Sequence, residues 1–360
     1  MSWLLAFVGF AILVILHELG HFTAAKAVGM RVEKFSLFFP PTLVKKQIGE
    51  TEYAIGAIPA GGYVRITGMN PSEELSDELR TRAYYSQPVW KRIVVIAAGP
   101  AVNLVLAFIL MFVFFFLIGP ETATTKVGVM EKGYPAASVL KSDDKLVAVD
   151  GRRGDAADFQ REIASHKCPG RQTAGCKAST PVNVTVIRDG RERTFELTPI
   201  FDPDVDPPRT RLGFSYQPGP RKTYPFGQAF DETTSQFWFI TKATIELPAR
   251  LLNTEQRKEI SGVVGSYETT RQTILYDVAQ VVGILAIISL SLAIVNLFPF
   301  LPLDGGHIFW AIVEKVRGKP VPFSVMERSG VVGFMLVILI FLVGLTNDID
   351  RLSGEGFQVR

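Results

Sequence analysis

Hydrophobic residues along this 360-residue chain are concentrated in four blocks that polar stretches separate. Their approximate limits are residues 3–28, 93–118, 274–300 and 331–345. Each block is long enough, or is extended enough by its flanks, to cross a bilayer as a helix. No basic residue precedes the first block, so we interpret it as an uncleaved spanning helix rather than a signal peptide. The pattern predicts a polytopic α-helical membrane protein with four transmembrane helices.

The distribution of basic residues predicts the orientation of these helices. Lys and Arg cluster after the first block, before the second block, and between the third and the fourth. Because segments rich in Lys and Arg stay in the cytoplasm, these connections are predicted to be cytoplasmic. The long region 119–272 and both termini are then extracytoplasmic.

The predicted organisation assigns each stretch of the chain to one segment. The segments are the first transmembrane helix, a cytoplasmic segment, the second helix, a soluble domain, a linker with amphipathic helices, the third helix, a cytoplasmic loop, the fourth helix and an extracytoplasmic tail. Their limits are 1–28, 29–92, 93–118, 122–200, 201–272, 273–311, 312–329, 330–346 and 347–360.

The polar segments carry their own structural patterns. β-Branched and aromatic residues around Gly61 and Gly62 predict a small β element within residues 52–66. The domain 122–200 is predicted to be α+β, with a strand, a helix and a β-hairpin at 145–151, 155–165 and 182–190. Pro and Asp residues make 201–221 a predicted linker. Residues 226–252 suit an amphipathic helix that lies on the membrane or packs on the soluble domain.

Composition narrows the functional class only slightly. A net charge of +3 gives no indication of nucleic-acid binding. The two cysteines, Cys168 and Cys176, lie close together in the polar middle of the chain. They form a local disulfide if that region faces an oxidising compartment, and otherwise remain two thiols.

An H-E-x-x-H pattern, His17-Glu-Leu-Gly-His21, lies inside the first apolar block. Positions i and i+4 share a face of a helix, so both imidazoles can bind one metal ion, with Glu18 beside them as a base. Packing or capping is a poor explanation, because ionisable groups at membrane depth are costly and mark functional sites. The pattern predicts one zinc ion with Glu18 as the catalytic residue.

A catalytic zinc site needs a third protein ligand and keeps one open position. The best candidate is Asp304, at the end of the third block, where Pro299 and Pro302 interrupt the helix. Irregular backbone at this depth is tolerated where protein buries it or water reaches it. Asp304 could otherwise cap the short helix that follows it. His307 is interpreted as an ordinary helix residue in preference to a group that supports the ligands.

Zinc lowers the pKa of bound water and so supplies a nucleophile near neutral pH. Glu18 is then placed to accept the proton of the water and return it to the leaving amine. Asn296 either contacts the substrate, as a donor to the oxyanion or to the substrate backbone, or satisfies the broken helix.

Three motifs together resemble the site-2 protease family. They are His17-Glu-Leu-Gly-His21, Gly99-Pro-Ala-Val-Asn103, and the Asn-x-x-Pro-x-x-Pro-Leu-Asp-Gly-Gly element from Asn296 to Gly306, in family order. The middle region is similar to a single PDZ domain of the bacterial type, at 133–140 and 143–151. The resemblance covers nearly the whole chain and points to the regulator-of-sigma-E protease, RseP-like, branch.

This resemblance implies an intramembrane zinc endopeptidase of the bacterial inner membrane. Its expected ligands are His17, His21 and Asp304. Its expected partners are the lipid bilayer and single-span membrane proteins, such as anti-sigma factors or signal-peptide remnants, which an upstream site-1 protease has already cut. The element around Gly61 and Gly62 is expected to hold the substrate as an added strand. The alternative is a membrane adaptor with a vestigial metal site that binds partners through its PDZ domain, although such an adaptor would not need Glu18.

Overall fold

The computed structural model describes residues 2–70, 73–203, 205, 208–251, 253, 257, 260 and 262–353. The chain divides into two compact units, one formed by residues 1–118 with 223–360 and the other by residues 119–222. The helices are α1 (Ser2–Ala27), α2 (Val89–Val113), α3 (Ala156–Ser165), α4 (Phe226–Ile245), α5 (Val263–Tyr276), α6 (Gln280–Asn296), α7 (Asp304–Arg317) and α8 (Phe323–Ser353). Shorter helical turns lie at Asp77–Arg80, Tyr84–Ser86, Pro135–Ser138 and Leu247–Arg250, and a π-helical turn, Phe114–Ile118, continues α2.

The strands divide between the two units. The first unit contains β1 (Val32–Ile48) and β2 (Thr51–Ile66). The second contains β3 (Glu121–Met130), β4 (Lys145–Val149), β5 (Val182–Arg188), β6 (Arg191–Leu197), β7 (Ile200–Asp202), β8 (Arg209–Arg211) and β9 (Phe214–Arg221).

Within the described residues, three helices are long and apolar enough to cross a membrane: Ser2–Ala27, Val89–Ile118 and Ser324–Asp350. The chain is therefore an integral membrane protein, and three of the predicted apolar blocks are helical as expected. In the predicted third transmembrane segment, 273–311, the interruption expected at Pro299 and Pro302 is present, because the chain is irregular between the end of α6 at Asn296 and the start of α7 at Asp304. Proline removes a backbone donor and clashes with the preceding turn. The segment has a second interruption that the sequence did not predict, since α5 ends at Tyr276 before the 17-residue α6 begins at Gln280.

Helix α2 is the centre of the first unit, because it packs against α1, α6 and α7. Arg92, near the N-terminal end of α2, is 3% exposed and pairs with Glu314 of α7, Nη1 to Oε2 at 3.0 Å. A buried ion pair is costly to break once formed, since either partner alone is an uncompensated charge. The pair therefore fixes α7, and the residues at its start, relative to α2.

Helix α4 packs on the other apolar helices of the first unit. Phe230 and Phe237 place their rings 5.7 Å and 5.9 Å from that of Phe108 on α2. Trp238 and Phe239 are each 67% exposed. The helix predicted for 226–252 is present, although it ends at Ile245. One apolar face of it packs against α2 and α6.

Strands β1 and β2 pair in an antiparallel hairpin whose two strands both bend. Because of the bend, the first part of β1 lies between two parts of β2, so Phe35 pairs with Tyr53 on one side and with Val64 on the other. Residues 62–66 thus form an outer segment of this sheet, which among the described strands is paired on one side only. The β element predicted within 52–66 is confirmed, and β1 completes it.

The turn of this hairpin is tied to the end of α1. Glu50 accepts hydrogen bonds from Arg82, at 2.7 Å and 2.8 Å, and from Lys26 at the end of α1, at 2.6 Å. Arg82 first, and then Lys26, lowers the pKa of Glu50 from 4.5 to about 2. Glu50 therefore remains ionised well into acid conditions, and its contribution to stability is lost only as the pH falls from about 4.5 towards about 2.

The second unit is an α+β fold around a five-stranded sheet in the order β6-β5-β4-β3-β9. The hydrophobic core of this unit includes Val127, Leu146 and Val184 of the sheet and Phe159 of α3, each at most 1% exposed. The predicted strand, hairpin and helix of this region are confirmed as β4, β5–β6 and α3, whose Asp155 caps the helix by accepting from the Asp158 amide at 2.9 Å.

The predicted linker at 201–221 is wrong. It contains the end of β7, then β8 and β9, and β9 extends the sheet by pairing with β3. Pro218 and Pro220 are compatible with β9 because this strand lies at the edge of the sheet, where a missing amide donor is tolerated. Of the two states left open for the cysteines, Cys168 and Cys176 adopt the disulfide.

Candidate metal centre

Helix α1 brings His17 and His21 together. The residues are one helical turn apart, both are 7% exposed, and their Nε2 atoms lie 3.2 Å from one another. Two neutral imidazoles cannot present unprotonated nitrogens at this distance without a proton or a cation between them. The helix has therefore placed two nitrogen ligands at one point.

Asp304 approaches the same point from α7. Its Oδ2 lies 3.2 Å from Nε2 of His17 and 3.3 Å from Nε2 of His21. The stretch after α6 reverses the chain so that α7 begins at Asp304, with Leu303 as the N-cap. The capping role considered for Asp304 is not observed, since no side-chain cap bond is formed at this end.

These three side chains fit a zinc ion. Their ligand atoms lie within 4.8 Å of one another, and the buried Oδ2 of Asp304 lies 3.2 Å and 3.3 Å from the two Nε2 atoms. Two histidines and one carboxylate form a common ligand set of catalytic zinc, which leaves one position for water or substrate. No Lys or Arg in the described part of the chain pairs with this largely buried carboxylate, so a metal cation would neutralise its charge.

The first unit also encloses a cavity of about 460 Å³ at this centre. Glu18 lines it beside the two histidines and Asp304, as do the three residues predicted to bind substrate, Gly61, Gly62 and Asn296. The other lining residues are Val14, Phe39, Tyr63, Val64, Ile66, Met69, Ile96, Leu292, Pro302 and His307. The cavity therefore joins the predicted base, the metal ligands and the outer segment of β2.

Strand β2 passes directly over Glu18. A side-chain carbon at Gly62 would lie 3.0 Å from Cγ of Glu18 and 3.0 Å from the carbonyl oxygen of Ser36. Ordinary contacts between such atoms are longer, so glycine permits the close approach of the strand to the base. Asn296 ends α6 and faces the cavity, and no side-chain hydrogen bond to the broken helix is recorded for it among the described residues.

Helix α2 supports His21 in two ways. Nδ1 of His21 lies 2.9 Å from the carbonyl oxygen of Val95, which orients the ring with Nε2 towards the centre. A side-chain carbon at Gly99 would lie 2.3 Å from Nε2 of His21, so the ring occupies the space that a side chain would take. The Gly99-Pro-Ala-Val-Asn103 motif identified Gly99 from the sequence. Nothing in the sequence identified Val95, because this residue contributes only its backbone carbonyl.

The two remaining histidines have different surroundings. His307, interpreted from sequence as an ordinary helix residue, lies on α7 and lines the cavity. His166 lies in the second unit, where Nε2 is 2.8 Å from Asp150 and Nδ1 is 2.8 Å from the Thr180 hydroxyl. Of the four histidines, His17 and His21 lie in the cluster with Asp304 that could hold a metal ion.

Comparison with known proteins agrees with this geometry. The family model of peptidase family M50 matches residues 5–340. A protein of Brucella suis biovar 1 that is named as a zinc metalloprotease is 30% identical, over 94% of this chain and 92% of its own length. Proteins with the same kind of name from Campylobacter jejuni and Nostoc are 27% and 29% identical, over 95% and 96% of this chain and 92% and 93% of their own lengths.

Proposed function

The chain belongs to peptidase family M50 and is a zinc metalloprotease, and from this premise we propose that it cuts single-span membrane proteins at a peptide bond within the bilayer. The observation that carries the proposal is the position of the ligand set. His17, His21 and Glu18 lie on an apolar helix that is long enough to cross a membrane, and Asp304 meets them from α7. Peptide hydrolysis at this centre takes place at membrane depth.

The roles of the residues follow from their placement. His17, His21 and Asp304 would hold zinc, which when bound supplies Lewis acidity towards water and the scissile carbonyl. Glu18 takes the proton of the attacking water and delivers it to the leaving amine. Asn296, which faces the same cavity, donates to the developing oxyanion or to the substrate backbone.

The outer segment of β2 is the proposed substrate cradle. Residues 62–66 use one edge to pair with β1, while Gly61 to Val64 line the cavity beside Glu18. An unpaired strand edge binds extended peptide through main-chain hydrogen bonds. Extension also exposes scissile amides that a helical substrate would keep buried, so strand addition prepares the bond for attack.

A four-helix topology completes the proposal. Helix α6 has 17 residues and is about 25 Å long. Together with the irregular stretch after it, this helix adds one crossing to the three long apolar helices and is the third of the four in chain order. Basic residues put residues 29–92 and 312–329 in the cytoplasm. The disulfide between Cys168 and Cys176 supports an extracytoplasmic second unit, since such bonds persist in oxidising compartments.

The second unit is proposed to be a PDZ domain that restricts access to substrates already shortened by a site-1 protease. Anti-sigma factors and signal-peptide remnants are the proposed substrate classes. The alternative, an adaptor with a vestigial metal site, is disfavoured by the complete set of ligands and the base at one cavity.

Mapping the cleaved bond tests the proposal. The purified protein, reconstituted in vesicles with a single-span model substrate, is expected to yield fragments whose new ends lie within the apolar segment. Mass spectrometry of the fragments locates the bond, and zinc chelation is expected to stop the reaction. Cleavage confined to the water-exposed flanks of the substrate would contradict intramembrane proteolysis.

Strand addition predicts a periodic response to proline in the substrate. Only alternate residues of an added strand direct their amides towards the edge of β2. Proline at those positions is expected to lower kcat/KM about tenfold, and proline at the intervening positions to lower it much less. The measurement is a proline scan of three or four residues on either side of the cleaved bond. Equal tolerance at neighbouring positions would rule out a paired strand.

Thiol labelling tests the orientation. In spheroplasts treated with a membrane-impermeant reductant, a membrane-impermeant maleimide is expected to label Cys168 and Cys176. Without the reductant the disulfide should block labelling. A variant with both residues changed to serine serves as the control for background. Labelling that requires permeabilised membranes would place the second unit in the cytoplasm and reverse the topology.

A further inference from the structure

Two of the buried polar groups in the first unit that have no hydrogen-bond partner among the described residues belong to His17 of α1 and Asn103 of α2. One is Nδ1 of His17, and the other is the whole side-chain amide of Asn103, a residue of α2 that is 0% exposed. A buried amide without partners is unfavourable, so its presence in an apolar helix calls for an explanation. A partner that it engages when the site binds its metal is one such explanation.

Helices α1 and α2 run antiparallel, and two contacts between them set their register. Nζ of Lys91 donates to the carbonyl oxygen of Val28 at 3.0 Å, and farther along the helices Gly99 abuts the ring of His21. One turn back along α1 from His21 is His17, and one turn forward along α2 from Gly99 is Asn103. Steps of four residues keep each pair on one face.

The neighbouring ligand already has the support that His17 lacks. Nδ1 of His21 lies 2.9 Å from the carbonyl oxygen of Val95, which is one turn before Gly99 on α2. A metal-binding imidazole directs its second N–H to an acceptor of this kind, which fixes the tautomer and the ring orientation. Nε2 of His17 faces the metal centre, so Nδ1 carries the proton that needs an acceptor.

We infer that Asn103 is the positioning residue of His17, with its Oδ1 accepting a hydrogen bond from Nδ1–H when the metal binds. Gly99 makes this possible, since the missing side chain lets α2 approach α1 closely. Helix α2 then orients both histidine ligands, with a backbone carbonyl for one and a side-chain amide for the other. The inference rests on the proposed role of His17 as a ligand.

Binding of Co²⁺ to the metal-free full-length protein in detergent tests the inference without reference to activity. Asn103→Leu keeps similar volume and removes the acceptor, and it is expected to weaken Co²⁺ binding about tenfold to a hundredfold. Asn103→Asp keeps an acceptor at the same place. It is expected to bind Co²⁺ within about threefold of the wild type, with a shifted visible absorption band because a carboxylate makes the imidazole more basic. Affinity is measured by competition with a chromophoric chelator.

Thr270→Val is the matched control, because Thr270 is also 0% exposed and bonds only within its own helix, to the Ser266 carbonyl oxygen at 2.8 Å. It is expected to bind Co²⁺ like the wild type. Circular dichroism of the metal-free variants checks folding, and Asn103→Ala replaces the leucine variant if the latter does not fold. Wild-type affinity in Asn103→Leu, or equal losses in the leucine and aspartate variants, would overturn the inference. Unchanged binding in His17→Ala would instead overturn the ligand assignment itself.

Discussion

Replacement of Glu18 by glutamine is expected to lower kcat for peptide cleavage by about a hundredfold to ten-thousandfold, the usual effect of losing a general base. The amide keeps the shape of the side chain in the cavity but cannot accept the proton of water. His17, His21 and Asp304 are unchanged in this variant, so its zinc content should remain that of the wild type. The measurement is cleavage of a single-span substrate in vesicles, with metal analysis of the same samples.

Glu192→Gln is the matched control, since this glutamate lies in the second unit with a side chain 55% exposed. It should cleave like the wild type. Substantial activity in Glu18→Gln with normal zinc content would show that another group provides the base. Loss of zinc together with activity would show that Glu18 supports the ligand set rather than the proton transfer.

Replacement of Gly99 by alanine is expected to disrupt the metal centre, because the added carbon would clash with the ring of His21. The new methyl group would lie 2.3 Å from Nε2 of His21, where an ordinary contact is well over 3 Å. The ring is held to the carbonyl oxygen of Val95 on the same helix, so it cannot move aside without losing that bond. Overpacking of this kind costs about 1–3 kcal/mol, which corresponds to about fivefold to 150-fold in metal affinity.

Gly227→Ala is the control for this change, because a side-chain carbon at Gly227 meets nothing within 4 Å. Zinc affinity, measured by chelator competition, should fall in the first variant and stay constant in the second. Retention of full affinity in Gly99→Ala would show that α1 and α2 separate easily. The close packing of glycine on His21 would then have no part in holding the metal.

Much of the metal centre could be predicted from the sequence because its signals are local. The spacing of His17 and His21 fixes their common face once the segment is helical. The prolines between Asn296 and Asp304 predict a break in the helix at membrane depth. A carboxylate at that depth has few roles other than binding a ligand such as a metal ion. Three uninterrupted apolar runs likewise became helices. The first two keep close to their expected limits, whereas the last, expected at 330–346, extends from Phe323 to Ser353.

The remaining features depend on contacts between segments distant in the chain. β9 joins the sheet by pairing with β3. Its prolines are typical of a linker, and the sequence does not show that this segment lies at the edge of a sheet, where proline is tolerated. The bend that lets Phe35 pair on both sides has no periodic signal, since it follows from the fold of the whole hairpin. The support of His21 by Val95 comes from a backbone carbonyl, a group that every residue possesses.

The ligands of the metal centre lie near opposite ends of the chain, two on α1 and one at the start of α7. A ribosome that has made only the first transmembrane helix has therefore already released the base and both imidazoles into the bilayer, but not the carboxylate that completes the set. We therefore expect the nascent protein to carry its H-E-x-x-H motif without the third candidate ligand through most of its synthesis. Proteolytic competence is expected only after the start of α7 has been inserted.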